Sequence, residues 1–306
     1  MKSVVIRNLT KKIGNHIILE NVTLDIEEGE FFCIMGPNGS GKTTLASIIA
    51  TIKKPSTGYI EIFNKKPEEV KNLIGYVPQE NFSVPILSGR ENLIYFARIM
   101  GYSKNSAKKF TEETLEMIGL SSDANKRVAS YSGGMKKKLE VTTALFPEIK
   151  LLILDEPTTG LDPSARRNFL GFLYDLRDQG KTIVIITHIG TDAELASRVA
   201  FLNMGKVISV GTPEKLKKEN NLSKVFEIEL NIKNKKVLDL LSNFTNVKNI
   251  LETENSYKIL NMKKEDVETE ITNLFKENGL KISRMENVSA SMEDIFFKLT
   301  GNMLKG

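Results

Sequence analysis

The chain has 306 residues, of which 43 are Lys or Arg and 38 are Asp or Glu, so its formal net charge is only +5. That mild surplus, with no aromatic-interleaved basic motif, argues against direct nucleic-acid binding. Hydrophobic residues at 41% and charged residues at 26% exclude a disordered chain, and the length suits one large core plus a smaller second domain.

The N-terminus, Met1-Lys2-Ser3-Val4-Val5-Ile6-Arg7, is interrupted by charge too early for a secretory signal. β-rich runs follow at 4–9, 17–26 and 31–35. Cys33 is the only cysteine and sits inside the apolar run Phe31-Phe32-Cys33-Ile34-Met35, so it reads as core filler, with no internal disulfide or zinc site available to it. That run feeds the loop Gly36-Pro37-Asn38-Gly39-Ser40-Gly41-Lys42-Thr43. Residues 42–52 then have helical composition, and Pro55-Ser56-Thr57-Gly58 turns the chain into a strand at 59–63.

Strand, glycine-rich loop and helix in that order make a phosphate-binding loop. A triphosphate is a dense polyanion. Gly36, Gly39 and Gly41 let backbone N–H groups point inward, and the helix N-terminus adds its dipole. Lys42 is placed to reach the β- and γ-phosphates and the Thr43 hydroxyl to hold magnesium. The expected ligand is ATP with Mg2+, held by Gly36, Pro37, Asn38, Gly39, Ser40, Gly41, Lys42, Thr43 and Thr44.

Between 89 and 126, apolar residues recur at helical spacing (Leu93, Phe96, Ala97, Met100, Phe110, Leu115, Ile118), which predicts a helical insert over about 89–130. Residues 151–154 and 182–186 are continuous apolar runs separated by a helical stretch at 164–179, the pattern of buried parallel strands. No apolar run approaches the roughly 20 residues of a membrane helix. Asp155 and Glu156 stand at the carboxyl end of the first run, where open α/β sheets place ligands. Asp155 is a candidate for magnesium, through water, and Glu156 for general base toward an attacking water. His188 follows the second run and is a candidate partner for the γ-phosphate or that water. Taken alone, the two acids also read as caps before Pro157, and His188 as a structural residue.

Near Gly211-Thr212-Pro213 the composition changes, and a short helix ends in Lys217-Lys218-Glu219-Asn220-Asn221. This predicts two domains, 1–218 and 222–306. The second reads as strand 225–232, helix 235–242, strands 247–252 and 256–261, helix 265–277, strand 281–286 and a last helix, 292–299. That order is the ferredoxin-like β-α-β-β-α-β pattern. Ile295, Phe296 and Leu299 form an apolar stripe on the last helix, expected to pack on its own domain.

Tyr131-Ser132-Gly133-Gly134-Met135 stands before the carboxylate strand and has no role in simple kinases or small GTPases. Alone it also reads as a helix cap. It resembles the signature of ABC-transporter ATPases, usually Leu-Ser-Gly-Gly-Gln, which opens a helix whose N-terminus binds the γ-phosphate held by the opposite subunit of a head-to-tail dimer. Gln79, in Tyr76-Val77-Pro78-Gln79, resembles the family's lid-loop glutamine, which implies a place at the metal and in catalysis. Asp162, in Gly160-Leu161-Asp162, resembles the D-loop acid, and His188 the switch histidine. With the loop and the paired acids, six motifs stand in the family's order over residues 1 to about 218.

The resemblance implies an α/β P-loop NTPase core with an N-terminal antiparallel β subdomain and a helical insert, carrying a smaller α+β C-terminal domain. It implies a homodimer or heterodimer of ATP-binding subunits, with two ATP molecules each clamped between one subunit's loop and the other's Ser132, Gly133 and Gly134. The dimer would dock through its insert and Gln79 loop onto a separate integral membrane permease, at the cytoplasmic face of the cell membrane. Ser291-Met292-Glu293-Asp294-Ile295-Phe296-Phe297-Lys298-Leu299-Thr300-Gly301 is similar to the closing motif of drug, antibiotic and polysaccharide exporter ATPases, which implies export. The alternative is a soluble ABC ATPase acting on nucleic acid or ribosomes. Such proteins typically carry two nucleotide domains or a long coiled coil, whereas this chain has one set of motifs and no sustained heptad run. Two positions depart from the family. Ile13 stands 29 residues before Lys42, where an aromatic ring usually stacks on adenine, so the base is expected to rest on an aliphatic surface. Met135 replaces the signature glutamine, as in one exporter branch, while the phosphate-contacting Ser132, Gly133 and Gly134 remain.

Overall fold

The structure, a computed structural model, describes residues 1–222, 224–230, 236–242, 247–253, 256–262 and 267–301. Two long strands, β1 (Lys2–Ile13) and β2 (His16–Glu27), form a hairpin, and β3 (Phe31–Met35) runs into α1 (Lys42–Ile49). Strands β4 (Thr57–Ile62) and β5 (Ile74–Val77) precede the insert helices α2 (Gly89–Ile99) and α3 (Lys104–Met117); α4 (Gly133–Thr143) then leads to β6 (Leu151–Asp155). After α5 (Pro163–Asp178) come β7 (Thr182–Thr187), α6 (Gly190–Glu194), β8 (Arg198–Asn203), β9 (Lys206–Gly211) and α7 (Pro213–Glu219). The last part holds β10 (Lys224–Leu230), α8 (Lys236–Ser242), β11 (Val247–Glu252), β12 (Ser256–Met262), α9 (Val267–Glu277), β13 (Ile282–Ser289) and α10 (Met292–Thr300).

The central sheet has the order β5-β6-β7-β3-β8-β9, parallel except for the antiparallel edge strand β9. Strands β3, β6 and β7 are buried at every position, which is why they are apolar without alternation. Successive residues still face opposite sides. Phe31, Cys33, Met35, Leu152, Leu154, Ile183 and Ile185 meet Leu139 and Val141 of α4 and Phe169, Leu170 and Leu173 of α5. Phe32, Ile34, Leu151, Ile153, Val184 and Ile186 meet Leu45, Ile48 and Ile49 of α1, together with the antiparallel sheet β2-β1-β4. Each such side chain contributes about 1.5–3 kcal/mol by leaving water. The register pairs Met35 with Thr187 and Asp155 with Ile186, so the carboxyl ends of β3, β6 and β7 lie side by side. The loops that follow them share one edge, which places the site.

Strands β10 to β13 form a separate antiparallel sheet of order β11-β12-β10-β13. The expected β-α-β-β-α-β order is what the described residues show; the outer parts of the expected elements at 231–232, 235 and 265–266 lie outside them. Phe226, Ile228, Tyr257 and Ile259 face Val237 and Leu241 of α8 and Ile271 and Phe275 of α9. The opposite face carries Val225 and Leu260, which join the large core instead. This corrects the expected packing of the last helix. Met292, Ile295 and Phe296 of α10 are buried in the large core, the Phe296 ring meeting Phe201 of β8 edge-on at 5.7 Å, while Leu299 is 40% exposed. The reason is that α8 and α9 already cover one face of the small sheet, leaving α10 between the other face and the core of the central sheet.

Candidate active site

The loop after β3 turns because two of its glycines have no substitute. A Cβ on Gly36 would overlap the Leu202 carbonyl oxygen. Gly41 has φ +102°, and a Cβ there would lie 2.8 Å from Leu19 Cδ2. No side chain caps α1 and no acid stands in its first turn, so the N–H groups at that end are left for an anion. Lys42 is buried, its Nζ donating to the Pro37 carbonyl oxygen at 3.0 Å and standing 3.8 Å from Glu156 Oε1. Burial pulls the Lys42 ammonium below its ordinary value, and Glu156 and Asp155 pull it back up.

Asp155 and Glu156 leave β6 in different ways. Asp155 is 1% exposed, and neither of its carboxylate oxygens has a well-formed hydrogen bond. Burial pushes its carboxyl up and Glu156 adds to that, while the Thr43 and Tyr76 hydroxyls and Lys42 favour the charged form. Tyr76 itself is pushed up to about 12, by burial first and by Asp155 next. Glu156 adopts φ +49°, rare for a residue with a side chain, and its N–H donates to the Ile186 carbonyl oxygen at 2.8 Å. Such a conformation costs on the order of 1–3 kcal/mol and persists only where its surroundings hold it. Here it swings the carboxylate to the edge of the sheet. Glu156 Oε2 lies 2.8 Å from Nδ1 of His188, without the alignment of a hydrogen bond, and accepts from the Thr159 hydroxyl at 3.2 Å.

A cleft of about 400 Å³ opens beside these groups, lined by Ile18, Asn38, Gly39, Gly41, Lys42, Thr43, Thr44, Gln79 and Glu156. Most of the expected loop residues thus meet in one place with Gln79 and Glu156. Ser40 turns inward instead, its hydroxyl buried without a partner, so any contact it makes with a ligand is through its backbone. Ile13 is half exposed near the tip of the β1–β2 hairpin, and the aliphatic side chain lining the cleft is Ile18.

Ser132, Gly133 and Gly134 do not line that cleft. Ser132 caps α4 by accepting from the Met135 N–H at 3.3 Å, so the helix begins at Gly133. Gly133 lines a second cleft, of about 460 Å³, with Gln79, Lys136, Glu156, Thr159 and Gly160 among its walls. Asp162 caps α5, accepting from the N–H groups of Ser164 and Ala165 at 3.0 Å.

One supporting residue had no signal in the sequence. Asp192 is fully buried and accepts from the Thr158 hydroxyl and, at 3.3 Å, from that of Thr187, joining the segment after Glu156 to the end of β7. Burial raises its carboxyl, and the Thr158 hydroxyl opposes this most. Nothing in Gly190-Thr191-Asp192 marks that acid, because its partner lies 34 positions away.

A parallel sheet with a phosphate loop after β3 and an acid pair at the end of β6 defines a P-loop nucleotide hydrolase. The family profile described as ABC transporter matches residues 19–159. Nod factor export ATP-binding protein I of Burkholderia lata is 33% identical over 304 residues, covering 98% of this chain and 97% of that protein. Linearmycin resistance ATP-binding protein LnrL of Bacillus subtilis is 29% identical over 306 residues, covering 97% and 98%. Among solved structures, a dimeric post-hydrolysis state of an ATP-binding cassette bound to ADP and Pi superposes with a TM-score of 0.60 at 33% identity, covering 68% of this chain and 98% of the other. The chain belongs to the ATP-binding subunits of ABC transporters and is an ATPase.

Proposed function

We propose that this ATPase powers export through a permease carried on a separate chain, hydrolysing ATP with Mg2+ at two sites shared across a head-to-tail dimer. Export is supported by the relatives, one of them an ATP-binding protein of Nod factor export and another of linearmycin resistance. Among the described residues no helix is long and apolar enough to cross a membrane. The naming of the relatives as ATP-binding proteins of export and resistance systems supports a permease on a separate chain, met at the cytoplasmic face. The similar cassette bound to ADP and Pi is dimeric, which supports the shared site. Residues 1–218 form the ATP-binding domain, with its insert at about 89–130, and 222–306 an accessory domain.

The observation that carries the mechanism is Glu156, held at φ +49° with its carboxylate beside both Lys42 and His188. Lys42 leaves the Pro37 carbonyl oxygen for the phosphates, which frees Glu156 from its ion pair. Glu156 then accepts the proton of the attacking water, and His188 orients that carboxylate and the water. The unpartnered buried oxygens of Asp155, next to the Thr43 hydroxyl, fit a hydrated divalent cation, with Gln79 at the cleft wall as a further ligand. When bound, Mg2+ neutralises charge on the phosphates. Gly36, Pro37, Asn38, Gly39, Ser40, Gly41 and Thr44 hold the phosphates in the same subunit, and Ile13 with Ile18 supports the base. Ser132, Gly133, Gly134 and Asp162 complete the site from the other.

Glu156→Gln tests this reading. Hydrolysis is expected to fall roughly 10²–10⁴-fold while ATP binding survives and a stable dimer accumulates by gel filtration. A variant that hydrolyses at the parental rate as a monomer overturns it.

A further inference from the structure

A defined contact ties the C-terminal domain to the loop that follows His188. Gly190, two residues after His188, donates its N–H to Glu293 Oε1 at 2.5 Å. The fit is close: a Cβ on Gly190 would overlap the Glu293 carboxyl group. Glu293 belongs to the first turn of α10, whose direction is fixed by a capping box in which Ser291 accepts from the Asp294 N–H and Asp294 from the Ser291 N–H. Met292, Ile295 and Phe296 anchor that helix in the large core. Contact runs the other way too. Glu194, at the end of α6, is raised by burial and held down by Lys217 and by the Met292 N–H.

Two grips therefore hold the loop between β7 and α6. From inside the ATP-binding core, Asp192 ties Thr187 to Thr158. From the C-terminal domain, Glu293 holds Gly190. Between these grips stand His188 and Ile189, the latter donating its N–H to the Thr187 hydroxyl at 3.0 Å. A side chain with so short a tether moves when either end moves.

We propose that Glu293 is a positioning residue for hydrolysis: through the Gly190 N–H it fixes the loop that aims His188 at Glu156, so the seating of the C-terminal domain sets the turnover rate. The inference rests on the assignment of Glu156 and His188 to the site. It gives the accessory domain a role in the reaction that neither its sheet nor its own small core explains. A displaced imidazole costs rate because catalytic groups act only within a narrow geometry.

Steady-state ATP hydrolysis by the purified full chain decides the question. Glu293→Ala is expected to lower kcat roughly 10- to 100-fold, with KM for ATP unchanged. Glu293→Gln keeps a carbonyl oxygen for the Gly190 N–H and recovers most of that loss. Gly190→Ala, which pushes the carboxyl group away, reproduces Glu293→Ala, and the double variant is no slower than either single one. In a His188→Ala background, Glu293→Ala costs nothing further. Parental kcat in Glu293→Ala overturns the proposal, as do losses that multiply with those of His188→Ala, or a loss confined to KM. Should Glu293→Ala fail to fold by thermal melt, Gly190→Ala against Glu293→Gln carries the same comparison, and parental kcat in Gly190→Ala overturns it. Parental kcat in His188→Ala alone removes the underlying assignment together with the proposal, whereas a slow His188→Ala beside a fast Glu293→Ala removes only the proposal.

Discussion

The two halves of the proposed ATP site are built in opposite ways. At the phosphate loop Lys42 and Glu156 are buried and already engaged: Lys42 is bonded to Pro37 and paired with Glu156, and Glu156 is held by Ile186, Thr159 and the neighbouring His188, while the buried Asp155 beside them keeps its oxygens for a cation. At the signature the groups are small, and Ser132 and Gly133 are exposed; Ser132 does no more within its own chain than cap α4. The first half is organised before any ligand arrives. The second, in the dimer proposed above, is a helix end that becomes useful only opposite another subunit's nucleotide. Buried charges need fixed partners, since an unpaired one costs several kcal/mol, whereas an exposed helix N-terminus is satisfied by water until an anion displaces it.

That contrast predicts different failures, Glu156→Gln being the most severe for turnover. Next comes Lys42→Ala, which removes charge-assisted bonds to the phosphates and should weaken ATP binding by about 3 kcal/mol, roughly 100-fold, in a fluorescent-nucleotide titration. Unchanged affinity would remove the loop from the site. Gly134→Asp strikes the other half. A Cβ there meets only Ala165 at 3.5 Å, so the fold accepts it, but the new carboxylate opposes a γ-phosphate. Binding to the single subunit should persist while hydrolysis falls about tenfold or more, a transition-state loss of about 1.4 kcal/mol. Lost binding in the monomer would mean that the halves are not separate. The smallest effect is expected at the base. Ile13→Tyr adds a ring at an exposed tip position and should tighten ATP binding by about 1 kcal/mol, some fivefold, if adenine rests there. No change would assign the base to Ile18 alone.

Legibility in the sequence followed burial. β3, β6 and β7 could be read because both faces are covered, which leaves an uninterrupted apolar run. The edge strand β9, exposed or half-exposed along most of Lys206–Gly211, has no such run, and β5 has only four residues with Gly75 among them. The hairpin strands extend past their apolar parts into Lys11, Lys12 and His16, which lie outside the β-rich runs 4–9 and 17–26 read from the sequence. Phe296 was legible as apolar, but its burial against Phe201 was not.

By itself, the sequence determined the chemistry that local spacing can encode: a glycine loop before Lys42 and Thr43, two acids after an apolar strand, a Ser-Gly-Gly helix start, and through their order the family. These are contiguous because each needs a backbone turn and a side chain within a few residues of one another. The tertiary structure alone decided which of them converge. It put the ends of β3, β6 and β7 in register, forced Glu156 into a left-handed conformation beside His188, and set Asp192 against Thr158 and Glu293 against Gly190, 34 and 103 positions apart. Such pairs leave no periodicity in the chain, because what joins them is the packing of helices on a sheet.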